Sequence, residues 1–192
     1  MAFDAGGQDA EAALLARYAQ GDRAAAAILV GRLAPGALSL ARRLLGDGAE
    51  AEDVTQEALL RLWKIAPDWE TGRAKVSTWL YRVVVNLCTD RRRRRRPEPV
   101  ADLPEQADGS PAPVEHLQMQ ARLNALGEAL DALPERQRLA VVMRDIEGLA
   151  NPEIGAILGV SVEAVESLAA RGRRALKARL GGRRSELGFD DD

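Results

Sequence analysis

Cysteine and histidine are almost missing: the 192 residues hold one of each, Cys88 and His116. A single cysteine excludes an internal disulfide framework and any multi-cysteine metal site. A single histidine excludes histidine-cluster metal sites and removes the base of most histidine-driven catalysis. No nucleophile–base pair, metal cluster or phosphate loop is present, so neither an enzyme nor a cofactor is expected. The longest unbroken apolar run is Ala24–Val30, far short of the ~20 residues that span a bilayer, so no membrane insertion is expected. The opening residues, MAFDAGGQDAE, lack the basic start and apolar stretch of a signal peptide, and a cytoplasmic location is the expectation. With few aromatics and few β-branched residues against much Ala, Leu and Arg, the composition favours helix throughout.

The net charge of −2 argues against a nucleic-acid partner only until it is resolved along the chain. Residues 1–60 carry 5 basic and 9 acidic side chains, and residues 61–97 carry 11 basic and 3 acidic. Residues 98–135 hold 1 basic and 8 acidic, and residues 136–192 hold 10 and 9. Within the last segment, Ser167–Arg184 contains seven basic residues and no acidic one. Clustered Arg and Lys is the footprint of phosphate-backbone binding, whatever the average. A charge run is often only a solvated helix face, but the consecutive Arg91–Arg96 repel one another unless a polyanion screens them.

The main break is Pro97–Pro113, with five of the nine prolines and almost no bulky apolar side chain; it reads as an extended or disordered linker. The expected architecture is all-α, two small helical domains at residues 10–96 and 115–182 joined by a flexible Pro-rich linker at 97–114. In the first lobe, helical periodicity runs through Ala12–Ala19, Ala24–Leu33 and Leu38–Leu45. After Gly46-Asp47-Gly48, further helices cover Ala51–Ile65 and Val76–Arg92. Val54, Ala58, Leu62 and Ile65 form one apolar stripe, which leaves Asp53, Gln56 and Glu57 pointing outward together. Trp63, Trp69, Trp79 and Tyr81 read as core at helical spacing. Their interleaving with Arg73, Lys75, Arg82 and the arginine run equally suits stacked bases and tracked phosphates of a single strand.

In the second lobe, a leucine-rich helix ends before Pro134, and a second covers about Glu135–Glu147 with Gly148 at its C′ position. Asn151-Pro152-Glu153 reads as an N-cap, a first-turn proline and a first-turn acid, opening a short helix to Leu158. Gly159 and Val160 lead to Ser161, a second N-cap, and a long helix to about Leu180 whose buried side is Val165, Leu168, Gly172 and Leu176. A short capped helix, a glycine-containing turn and a longer cationic helix make the helix-turn-helix plan, whose second helix suits the major groove. Cys88, among Val84, Val85 and Leu87, reads as a small core residue; His116 reads as solvated.

These residues carry a family resemblance. Leu133-Pro134-Glu135-Arg136-Gln137-Arg138, Glu147-Gly148-Leu149, Glu153-Ile154 and Ile157-Leu158-Gly159-Val160-Ser161 resemble region four of bacterial RNA polymerase sigma factors. Leu45-Gly46-Asp47, Ala51-Glu52-Asp53-Val54, Gln56-Glu57, Leu62-Trp63 and Thr78-Trp79-Leu80-Tyr81-Arg82-Val83 resemble region two. A short linker between the two regions is the plan of the extracytoplasmic-function (ECF) group of the sigma-70 family.

The resemblance implies a promoter-specificity factor that works inside the polymerase holoenzyme in a stress or environmental response, nucleoid-associated when active. Its implied partners are core RNA polymerase (β′ clamp and β flap), promoter DNA, duplex at −35 and single-stranded at −10, and an anti-sigma factor. Asp53, Gln56 and Glu57 would dock on the clamp. Lys75, Ser77, Trp79 and Asn86 would hold flipped −10 bases, offsetting the few kcal/mol of unstacking, with Arg82, Arg91, Arg92 and Arg93 on phosphates. Ser161, Glu163, Glu166, Ser167, Arg171 and Arg174 would face the −35 duplex. Two alternatives stay open at this point. A freestanding helix-turn-helix regulator leaves the aromatic–cationic segment and the Asp53 patch without a job; a sigma-like decoy for an anti-sigma factor usually carries a receiver domain, for which this chain has no room.

Glu166 stands where the resemblance leads one to expect Lys, and a carboxylate in the groove accepts from cytosine N4 but is repelled by phosphates. Glu166→Lys should therefore raise affinity for most duplexes and flatten discrimination among them. Binding to a series of duplexes varied base by base checks this, and no change at any of them overturns the placement of Glu166 in the groove.

Overall fold

The computed structural model describes residues 5–70, 72, 74–94 and 114–182, which fold as eight α-helices with no strand among the described residues. The first lobe contains α1 (Ala5–Ala19), α2 (Arg23–Leu45), α3 (Gly48–Ile65) and α4 (Val76–Arg94), with a 3-10 turn at Ala66–Asp68. The second contains α5 (Val114–Asp131), α6 (Glu135–Val141), a π turn at Val142–Ile146, α7 (Asn151–Leu158) and α8 (Val162–Gly181). Most of the proposed linker, and Arg73, Arg95 and Arg96, lie outside the described residues.

Local chemistry sets the helix ends. Asp22 caps α2 by accepting from the Ala24 and Ala25 N–H groups at 3.0 and 3.3 Å, satisfying donors that have no partner inside the helix. At the other end Gly46 takes φ +69° and its N–H donates to the Arg42 carbonyl, a conformation that favours glycine. Asp47 then caps α3 through the Glu50 N–H at 3.0 Å. The Gly-Asp-Gly break is thus a helix stop followed at once by a helix start.

Three boundaries differ from the sequence expectation. The segments Ala24–Leu33 and Leu38–Leu45 are one continuous helix, α2, with Pro35 inside it. Proline has no N–H to give the Gly31 carbonyl, but both residues are on the exposed side, where a missing intrahelical bond costs least. The opposite side buries Ala25, Leu29, Leu33, Ala37, Leu40, Ala41, Leu44 and Leu45, which holds the helix through the proline. Although α2 is long and apolar enough to cross a membrane by length and composition, it is the central core helix here, packed on α1, α3 and α4. The Glu135–Glu147 helix changes pitch at Val142, where the Glu147 N–H donates to the Val142 carbonyl five residues back at 2.9 Å. Finally, α7 is capped by Ala150, not Asn151, so Asn151 and Pro152 are already helical. Ala150 has no side-chain acceptor; instead the Glu153 carboxylate reaches back to the Ala150 N–H at 3.2 Å, half of a capping box.

In the second lobe α8 packs on α5, α6 and α7. Its buried face is Val165, Ala169, Gly172 and Leu176, with Ala169 in place of the expected Leu168, which is half-buried. The Ser161 hydroxyl caps it by accepting from Ala164 N–H at 3.2 Å. Buried residues of both lobes form one contiguous cluster, α4 packing directly on α7 and α2 on the π turn. The lobes do not stand apart as two separately filled cores.

The α6–α8 crossing is close because Gly172 has no side chain: a Cβ there would sit 2.6 Å from Val141 Cγ2 and 3.2 Å from the Gln137 carbonyl. Gly172→Ala forces the helices apart and should destabilise the protein by roughly 1–3 kcal/mol, the usual range for overpacking; a lowered urea midpoint checks it.

Candidate functional site

Three surfaces carry the candidate residues. On α3, burial of Ala51, Val54, Thr55, Ala58 and Leu62 turns Asp53 and Gln56 outward and leaves Glu57 half-buried. Asp53 and Glu57 do not project freely. Arg91 of α4 lies 3.7 Å from Asp53, and Arg61, one turn on, lies 2.6 Å from Glu57. One turn beyond Gln56 stands Leu60, 60% exposed. The sequence expectation for this patch names only polar residues, although a leucine off the buried stripe and one turn beyond Gln56 is itself a signal. An exposed leucine ringed by charge is how a protein-binding patch supplies both apolar anchor and polar rim.

The second surface is α4. Its apolar side buries Val76, Leu80, Val84, Val85, Leu87 and Cys88, which brings Trp79, Arg82, Asn86 and Arg93 onto one outward stripe at helical spacing, with Lys75 just before the helix. Arg82, Asn86 and Arg93 are exposed, and Lys75 and Trp79 are half-buried. Ser77 is not on this surface: it is 5% exposed, and its N–H donates to the Glu11 carboxylate at 3.2 Å. That contact, an arginine and a lysine all favour the ionised carboxylate, yet burial outweighs them and holds the Glu11 carboxyl above its ordinary range. Arg91 turns toward α3, and Arg92 toward the second lobe, where it meets Asp131 at 2.8 Å.

The aromatic residues divide. Trp63 packs on Tyr18 with ring centroids 4.7 Å apart, and the half-buried Tyr81 covers Gly36, where any Cβ would collide with its hydroxyl. Burial pushes the Tyr81 phenol up to about 12. Trp79, edge-on to Trp69 at 6.1 Å, stands on the cationic stripe.

The third surface is α8, where Ser161, Glu163, Glu166, Ser167, Arg171 and Arg174 are all exposed. They divide by role. Glu163 folds back on the helix start, its carboxyl lowered by its own backbone N–H and by the Ser161 hydroxyl, so Ser161 and Glu163 belong to the cap. Glu166 accepts from the Asn151 amide at 3.1 Å, a contact across the helix-turn-helix that orients its carboxylate. Arg173 is drawn to Asp145 at 3.3 Å, whereas Ser167, Arg171 and Arg174 follow one another along the open face.

Between the lobes lies a polar seam. Arg138 of α6, 3% exposed, donates to the Leu44 carbonyl at the end of α2 at 2.9 Å and approaches Asp131 at 3.4 Å. Burial, then the neighbouring Arg92, lowers its pKa, and Asp131 opposes both. Ser39 donates to Glu147 at 3.0 Å, and Lys75 pairs with Glu153 at 3.1 Å. Arg82 donates to the Ala156 carbonyl. No cluster of metal-ligating side chains occurs among the described residues.

Comparison with known proteins gives consistent matches. Residues 29–98 match the family model for Sigma-70 region 2, and residues 123–176 match that for Sigma-70, region 4. The ECF RNA polymerase sigma factor SigE of Mycolicibacterium smegmatis is 42% identical over 77% of this chain, which spans 58% of that protein's length. The ECF RNA polymerase sigma factor SigM of Mycobacterium tuberculosis is 36% identical over 89% of this chain and 85% of its own. Among solved structures, that of CnrH in complex with the cytosolic domain of CnrY superimposes with a TM-score of 0.71 and 27% identity, covering 90% of this chain and 98% of that one.

Cys88, buried beside the arginine seam, has its thiol pushed up to about 12, burial outweighing the nearby Arg138, Arg91 and Arg92. Since the thiolate is the nucleophile, native protein should resist alkylation at pH 8 and react only on unfolding; mass spectrometry after iodoacetamide checks this. A folded pKa above the unfolded one also means that this thiol favours the folded state fully below pH ~9 and loses that contribution as pH rises toward 12.

Proposed function

The chain belongs to the ECF group of the sigma-70 family of RNA polymerase sigma factors, and we propose that it binds core polymerase and directs promoter-specific initiation under the control of an anti-sigma factor. It has no reaction of its own; it supplies recognition to the polymerase in the cytoplasm. The observation that carries this reading is the presence, on one chain, of a leucine-and-carboxylate patch and two separate cationic surfaces. One cationic surface is an aromatic-bearing helix side suited to a single strand, and the other is a helix-turn-helix suited to a duplex.

In this reading residues 10–96 dock and open the promoter, residues 115–182 read the −35 duplex, and residues 97–114 connect them. Asp53, Gln56 and Glu57 meet the β′ clamp around Leu60, the apolar anchor. The −10 strand lies along Lys75, Trp79, Arg82, Asn86 and Arg93, with phosphates on the guanidinium groups and a base against the indole. Ser77, Arg91 and Arg92 act from behind this surface by fixing α4 to its neighbours. The −35 duplex meets Glu166, Ser167, Arg171 and Arg174 while Ser161 and Glu163 hold the helix start. Control by an anti-sigma factor is supported by the likeness to CnrH, which was solved with a protein segment bound to it.

Transcription of fragmented genomic DNA by core polymerase, with and without this protein, tests the reading: new start sites are expected only with it. Leu60→Ala combined with Gln56→Ala should weaken core binding about tenfold or more, the scale of an interface hot spot, with the fold intact by circular dichroism. Adequate core binding with no new start site sinks the proposal.

A further inference from the structure

The exposed Glu166 carboxylate is held by a neutral amide. It stands in the second turn of α8, and one of its oxygens accepts from the Asn151 side-chain N–H at 3.1 Å. Asn151, half-buried, is the first residue of α7. Both ends of this hydrogen bond rest on fixed backbone. Ile154, one turn along α7 from Asn151, and Val165, the neighbour of Glu166, are fully buried. In the turn that joins the helices the Val160 N–H donates to the Gly155 carbonyl at 3.0 Å. The approach is close enough that a Cβ on Gly155 would lie 2.9 Å from the Val160 carbonyl. The reach from Asn151 to Glu166 is therefore set by the helix-turn-helix itself. A carboxylate accepts through two oxygens, so the one Asn151 does not take is left for a donor outside the protein.

We propose that Asn151 is a positioning residue for base readout: it pins one oxygen of Glu166, so that the other reads a single base pair and selects cytosine. This rests on the reading of α8 as the helix that enters the −35 groove. A carboxylate can only accept. In the major groove cytosine offers its N4 amino group, whereas guanine offers acceptors at O6 and N7 and thymine an acceptor at O4. Adenine offers N6 beside the N7 acceptor and ranks between them. A glutamate free to rotate escapes both the phosphates and a guanine by swinging out to water, and so discriminates weakly. Tethered to Asn151 it stays in place, and a guanine then meets an oxygen for which it has no donor. Exclusion of the wrong base thus depends on the tether, not only on the carboxylate. Arg171 and Arg174, further along the open face, supply cations for phosphates, which position the helix without reading sequence.

The test loads the full chain on core polymerase, offers a library of duplexes of random sequence and scores the sequences retained. At one position cytosine should be retained over guanine by about tenfold, and Glu166→Ala should erase that preference. Asn151→Ala should cut it to about threefold or less at the same position, with total retention within about twofold and an unchanged urea midpoint. Asn151→Gln, which keeps the amide, should restore most of it. The double variant Asn151→Ala with Glu166→Ala should lose no more than Glu166→Ala alone, because the two residues act through one carboxylate. A cytosine preference untouched by Asn151→Ala overturns the assignment and leaves the reading of α8 standing. So does a loss spread evenly over all sequences with a lowered urea midpoint, the mark of a merely structural asparagine. Retention indifferent to Glu166→Ala, Arg171→Ala and Arg174→Ala alike overturns the reading of α8, and the assignment with it.

Discussion

Arg138 is the interaction on which the arrangement of the molecule depends. A guanidinium buried this deeply needs acceptors, because an unpaired buried charge is costly. It finds one in the last turn of α2, where the Leu44 carbonyl has no partner inside the helix and lies at the negative end of the helix dipole. It finds the other in Asp131 at the end of α5. Arg92 of α4 reaches the same carbonyl and the same carboxylate. Two cations, one from each lobe, thus share one anion and one helix end. Neither lobe supplies the whole set, so the ends of α2, α4, α5 and α6 are tied at a single point.

That tie explains why the helices divide their labour as they do. With α2 held at its C-terminus, α3 and α4 pack on its flanks and present opposite chemistry outward: carboxylates, an amide and Leu60 on one, an indole and cations on the other. The near-zero net charge is the sum of these surfaces and not a property of any of them. Several of the acidic groups also have partners close by. Asp53 faces Arg91, Asp131 faces two arginines, and Glu147 and Glu153 face the first lobe. Like charges along α4 are therefore offset across helices, which a count along the chain cannot display.

Much of the fold was legible because its signals are local. The stop at Gly46, the cap at Asp47, the glycine turn at Gly159 and the cap at Ser161 each depend on one or two residues and their immediate backbone. Where local rules compete with packing, packing won. Pro35 sits inside α2 because the apolar side of that helix is buried along its length. Glu135–Ile146 changes from α to π pitch in the middle of the core, where no single residue announces it. On α8, the buried position falls to Ala169 and not Leu168.

The candidate site was legible as residue types and faces, and only in part as roles. By itself the sequence determined an all-helical chain, a helix-turn-helix with a cationic second helix, an outward acidic-amide patch on α3 and a cationic α4. Helical periodicity and capping are short-range, so they can be read from neighbours in the chain. Tertiary structure alone decided that Ser77 is inside, that Tyr81 covers Gly36, that Arg91 and Arg92 bind protein acceptors, and that Glu166 leans on Asn151. It also decided that Lys75 and Arg82 meet α7, whose residues are more than seventy positions away. Such pairings depend on how two amphipathic surfaces come together in space, and no spacing along the chain encodes that distance.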